Sequence, residues 1–161
     1  MFEKLKYNNK IIAIIIKSSF TSKETKFFTK HNSEFQIGSI VHKKDSLVKK
    51  HSHYRRNSKI KSTSEVLYIK KGNLIISLYN KKCSKLLYKK NLSRGDIIFL
   101  NECGHSLSFK KDTQIIEIKQ GPYEYGKDKK IYWYFFKITI EKRYRIKDNM
   151  NDMIKSIYRN L

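Results

Sequence analysis

Glu65-Val66-Leu67-Tyr68-Ile69, the turn Lys70-Lys71-Gly72-Asn73 and the second apolar run Leu74 to Tyr79 form the stretch on which the fold turns. β-Branched and aromatic residues fill the first run, which is too short for an ordinary helix and reads as a strand. Side chains on a strand alternate with period two, so Glu65, Leu67 and Ile69 share one face. If that face points inward, the strand carries a carboxylate into an apolar interior. Gly72 supplies the positive φ that a tight turn needs, which predicts a hairpin with Leu74 to Tyr79 as the return strand.

Outward from this stretch the pattern repeats. Asn80 to Ser84 is a polar turn, Leu86-Leu87-Tyr88 resumes a strand, and Ser93-Arg94-Gly95-Asp96 turns into Asp96-Ile97-Ile98-Phe99-Leu100. Gln114 to Lys119 is a further strand. Upstream, Phe35 to Val41 is expected to begin the barrel proper, and Leu47-Val48 a strand leading through Lys49-Lys50 to His51. Ile11 to Ile16 is continuous and β-branched, a strand expected between two apolar layers or under a partner subunit. Lys26 to Thr29 is a candidate short strand. Many short strands with turns at regular spacing predict an all-β sandwich or barrel rather than βαβ units. Beyond Tyr123 come the aromatic run Ile131 to Phe136 and the alternating Lys137 to Ile140. A short amphipathic C-terminal helix is expected after the cap at Asp148 or Asn149, with Met150, Met153, Ile154, Ile157 and Leu161 on one face. The expected division is 1–34 as N-terminal strands packing on the barrel or a dimer partner, 35–125 as the barrel, and 126–161 as an extension.

A chain of 161 residues fits one such barrel. With 36 Lys and Arg against 14 Asp and Glu, the formal net charge is +22, a balance that often marks a nucleic-acid partner. Here the lysines are spread along the whole chain, as pairs at strand ends such as Lys43-Lys44, Lys81-Lys82 and Lys110-Lys111, which is the pattern of a solvated surface. Nucleic acid is therefore not the expected partner. Cys83 and Cys103 belong to no Cys-x-x-Cys pair and imply no disulfide framework, and a reducing cytoplasm is the expected location. The apolar run at Ile11 to Ile16 is too short to span a bilayer, so no membrane partner is expected.

The chemistry-bearing residues are scattered but recur where a small barrel could gather them. His51 and His53 are separated by one residue and would share a face of an extended strand. Glu65 opens its strand, and His105 follows the strand that ends at Leu100. Three imidazoles and one carboxylate suit a borderline divalent metal ion. The order His-x-His, then Glu, six residues, Gly, and later a Gly-Asp strand ending in Gly-His resembles the two motifs of the cupin superfamily. The pattern departs from that family in the eleven residues between His53 and Glu65, and in Asn101 where the second motif carries Pro. A closer resemblance is to a bacterial branch of that superfamily, without an assigned reaction, whose late strand reads Glu-x-Lys-Gln-Gly-Pro-Tyr. Here those positions are Glu117, Lys119, Gln120, Gly121, Pro122 and Tyr123, with Asp128 and Lys129 soon after.

The resemblance implies a jelly-roll β-barrel holding Fe, Mn, Ni or Zn through His51, His53, Glu65 and His105, and dimerising through N-terminal strands. Coordination of that kind leaves positions for water or substrate. The place of Glu117 and Lys119 in the branch signature makes them candidates for an acid/base pair, provided they face the lumen; alternation alone does not decide which face is inward. Arg55 and Arg56 are candidates for gripping an anionic ligand at the barrel mouth. His31 and His42 have no such companions and are expected at the surface. The leading expectation is a metal-binding protein of carbohydrate metabolism that binds or acts on a small polar molecule, such as a sugar-derived anion. A metal-free sugar-nucleotide isomerase or epimerase and a non-enzymatic interaction module are the alternatives.

Overall fold

Asn8 and Asn9 both take positive φ, 47° and 59°, as the centre of a type I′ turn does. They close a hairpin between β1 (Phe2–Tyr7) and β2 (Lys10–Ile16). In this computed structural model the described residues are 1–54, 60, 62–121 and 130–132. All but the last three fall within the unit Met1–Tyr123. The remaining strands are β3 (Lys26–Phe27), β4 (Gly38–Ser39), β5 (Ser64–Lys71), β6 (Asn73–Tyr79), β7 (Leu86–Ser93), β8 (Ile97–Asn101), β9 (Gly104–Phe109) and β10 (Gln114–Lys119). Every pairing is antiparallel, and no helix occurs among the described residues. The protein is all-β. The expected C-terminal helix and the run Trp133 to Phe136 lie outside the described residues.

The strands form a five-stranded sheet in the order β1-β2-β8-β5-β10, a three-stranded sheet β7-β6-β9, and the small pair β3-β4. Gly72 does turn the chain, with φ +82°, but it does not make a hairpin. β5 pairs with β8 and β10, whereas β6 pairs with β7 and β9, so Gly72 carries the chain from one sheet to the other. The reason is local: Arg94 N–H donates to Gly72 C=O at 3.2 Å and Gly95 N–H to Ile69 C=O at 2.8 Å, which seats the Ser93–Asp96 turn at the end of β5. A Cβ at Gly72 would run into Asp112 O and Thr113 Oγ1. The chain crosses again between β7 and β8, β8 and β9, and β9 and β10.

The core lies between the two sheets. Leu67 and Ile69 of β5, Ala13 and Ile15 of β2 and Ile98 and Leu100 of β8 meet Leu74, Ile76 and Leu78 of β6 and Leu92 of β7, all buried. The outer face of the five-stranded sheet carries a second cluster, in which Phe28 packs with Ile14, Val66 and Phe99, flanked by Phe2, Phe20, Phe35 and Ile37. β2 is therefore apolar on both faces because both are covered, as its unbroken apolar run requires.

Phe35 to Val41 is not the long strand expected there. Only Gly38–Ser39 is a strand, paired with β3, while Phe35 stacks on Phe99 at 5.7 Å between ring centroids and serves as cover for the outer cluster. Leu47-Val48 is likewise no strand, and both side chains are exposed. Two strands were not foreseen. β1 had its signal in the Asn8-Asn9 turn, and β9 in the alternation Ser106-Leu107-Ser108-Phe109.

Candidate functional site

β5 delivers Glu65 inward. It precedes the core residue Leu67 by two positions on the same face, and its side chain is 12% exposed. On the other sheet the β6–β9 register sets His105 opposite Leu78, Leu107 opposite Ile76 and Phe109 opposite Leu74. Since the three β6 residues point into the core, His105 faces inward as well. The two side chains meet at the end of the sandwich, with His105 Nε2 at 3.4 Å from Glu65 Oε2. That oxygen is buried and has no hydrogen-bond partner, an arrangement that leaves a carboxylate poorly compensated.

The frame around Glu65 is built from polar groups. Ser64 N–H donates to Gln120 Oε1 at 2.7 Å, Ser64 Oγ to Asn101 Oδ1 at 3.3 Å, and Asn101 Nδ2 to Ile11 C=O at 3.2 Å. These bonds tie the first residue of β5 to the ends of β8, β10 and β2. Sequence reading missed Ser64, and it noted Asn101 and Gln120 only as motif positions, because isolated polar residues at strand ends carry no periodic signal of the bonds they make. Cys103 adjoins the site, its thiol donating to Ile12 C=O at 3.3 Å. Burial, with the Glu65 charge adding to it, pushes the Cys103 thiol up to about 11, which disfavours the thiolate in the absence of a bound cation. Burial also raises Cys83, whose Sγ fills the place a Cβ on Gly104 would need.

His51 and His53 lie in the exposed segment before β5. Their rings sit 5.3 Å apart in an edge-to-face arrangement, and His51 Nδ1 is 2.9 Å from Lys49 C=O. The structure thus brings together Glu65 with His105, and His51 with His53. Among the described residues no group of three or more His, Cys, Asp or Glu stands in metal-holding geometry. The Glu65–His105 pair nevertheless fits a cation, since it offers an orphaned buried carboxylate oxygen beside an imidazole nitrogen, both common ligands of borderline divalent ions.

The register of β10 decides what alternation left open. Lys119 pairs opposite Glu65 and Glu117 opposite Leu67, which places both on the inward face, Lys119 half-buried and Glu117 exposed at the edge of the sheet. Ile116 and Ile118 occupy the outer face and are 44% and 53% exposed. Arg55 and Arg56 lie outside the described residues.

No protein-family model, curated protein or solved structure matches this chain. No helix among the described residues is long and apolar enough to cross a membrane.

Proposed function

We propose that the chain is a metal-binding protein of the cupin type, a jelly-roll barrel that binds or acts on a small polar molecule such as a sugar-derived anion. The observation that carries this reading is the Glu65–His105 pair, one residue from each sheet, with a buried carboxylate oxygen that makes no hydrogen bond and stands 3.4 Å from the imidazole. Polar atoms left in that condition cost about 1–3 kcal/mol, and a function at that atom explains why the cost is kept. The repeated crossing of the chain between two facing antiparallel sheets supports the jelly-roll assignment.

Glu65 and His105 would hold a divalent ion, with His51 and His53 as the further donors. When bound, such an ion supplies Lewis-acid polarisation of a carbonyl or hydroxyl, or redox chemistry if it is iron. The chain's own residues do the rest. Lys119, opposite Glu65 on the inward face, orients an anionic substrate or holds a proton for it. Glu117 is the second acid/base candidate on that face, and Arg55 and Arg56 are the candidates for an anion clamp.

Elemental analysis of protein purified without a histidine tag tests the reading. Close to one divalent ion per chain is expected, lost in Glu65→Gln and His105→Ala and weakened in the double variant His51→Ala, His53→Ala. A chain without stoichiometric metal, or with metal indifferent to all these changes, rejects it. The direct contact of His105 with Glu65 favours one further reading, acid/base catalysis by these two groups without metal. Activity that persists in excess chelator would select it.

A further inference from the structure

We propose a second ligand site at the end of the sandwich, a cleft that takes a small anion with a flat apolar body, such as an aromatic or cyclic carboxylate. Three turns from different parts of the chain border it. The Asn8-Asn9 turn holds Tyr7 and Lys10 as a directly opposed pair. Tyr79 and Lys81 line it as well, with the segment Asn101–Cys103. Ile11, Ile12 and Cys103 add apolar surface, and the cavity measures about 240 Å³. That is room for about eight waters at about 30 Å³ each, below the roughly 300 Å³ at which pockets for drug-sized ligands begin. A single ring with one acidic group fits.

The walls are rigid for physical reasons. Asn80 Oδ1 accepts from the backbone N–H groups of Ser84 and Lys85 at 2.9 and 3.2 Å, locking the turn that presents Lys81. On the opposite side, Asn8 and Asn9 hold their hairpin in left-handed geometry. Charge selects the ligand. Lys81 is paired with Glu102 at 3.2 Å, whereas Lys10 has no ion-pair partner among the described residues, so the cleft keeps one net positive charge. A mostly apolar surface that counts Tyr7, Tyr79 and the unpaired Lys10 among its lining residues suits a small apolar body carrying one negative charge. Neither Glu65 nor His105 lines this cleft, although Asn101 and Cys103, which border the Glu65 site, do.

The test is an amide-resolved NMR titration of the whole chain with sodium benzoate, inorganic phosphate and benzyl alcohol in parallel. Saturable shifts with benzoate are expected at Asn8 to Ile12, Tyr79 to Lys81 and Glu102 to Cys103. Loss of one exposed ion pair should weaken benzoate about fivefold in Lys10→Gln, and Lys10→Arg should restore it. Benzyl alcohol, lacking the charge, should bind weaker by a similar factor. Unshifted spectra of the two variants outside the cleft serve as the control for folding. Three results overturn the proposal: benzoate shifts scattered over surface lysines that vanish at ~0.2 M salt, unchanged affinity in Lys10→Gln, or phosphate binding as tightly as benzoate.

Discussion

Replacing Asp96 with Ala should cost more stability than any other single change at a charged residue of the described chain. Its carboxylate is 2% exposed and accepts three hydrogen bonds: from Lys17 Nζ at 2.7 Å, from Ser18 N–H at 2.9 Å and from Ser93 N–H at 2.9 Å. These bonds tie the end of β2 to the turn that carries the chain from one sheet to the other. Each hydrogen bond to a charged group contributes about 1.5–3 kcal/mol, discounted here because Lys17 is 34% exposed and regains water when its partner is removed. The expected loss is about 3–5 kcal/mol, out of the roughly 5–15 kcal/mol that holds a domain together. At about 2–4 °C per kcal/mol for a chain of this size, Tm should fall by roughly 10 °C. Asp96→Asn keeps one amide oxygen as acceptor and should lose about 2 kcal/mol. The loss should also depend on pH. Burial alone would raise the Asp96 carboxyl, but the Lys17 bond and the Ser93 and Ser18 N–H groups outweigh it and hold the group below its ordinary value. A carboxyl lowered by folding stabilises the native state above its unfolded pKa, near 3.9, and loses that contribution as pH falls through the folded value. Urea unfolding of wild type and Asp96→Asn should therefore show a gap that is widest at neutral pH and closes below about pH 4. A loss under ~1 kcal/mol for the Ala variant at pH 7, or a gap indifferent to acid, refutes this account of the turn.

Glu65→Met should raise the stability of metal-free protein by about 1 kcal/mol, since a buried oxygen without a donor is replaced by apolar volume; chemical denaturation in chelator measures it, and a loss would show the carboxylate to be satisfied. Gly72→Ala forces a Cβ into Asp112 O and Thr113 Oγ1 at φ +82° and should cost at least ~1–2 kcal/mol, whereas Gly121→Ala serves as a reference; equal melting points would contradict the crossing geometry. Ile76→Ala, at a fully buried position between the sheets, should cost about 2–5 kcal/mol in equilibrium unfolding. If the metal reading holds, a cation at a hundred times its Kd should add about 2.7 kcal/mol to the stability, which a melting curve with and without chelator reads directly.

Much of the fold was legible because strand patterning is local. The alternation of Glu65, Leu67 and Ile69 named the inward face of β5, and the unbroken apolar run of β2 announced burial on both sides. Turn residues placed Asn80–Ser84 and Ser93–Asp96. Gly72 shows the limit: its positive φ was readable, but the same turn serves a hairpin or a passage between sheets, and only the bonds from Arg94 and Gly95 to β5 choose. Phe35 and Ile37 show it from the other side, since an apolar run that covers a sheet looks in sequence like one that belongs to it.

The candidate site divides in the same way. Residue types and spacing along the chain identified Glu65 and His105 as chemistry-bearing, and the period of two made their orientation a matter of register. That register is a long-range property. Pairing of β6 with β9 turned His105 inward, pairing of β5 with β10 put Lys119 opposite Glu65, and the facing of two sheets brought a carboxylate and an imidazole 40 positions later within 3.4 Å. Local sequence determines which way each side chain alternates, because that follows from the backbone of a single strand; which strands face each other is decided by burial of the whole apolar surface at once, and so belongs to the tertiary structure alone.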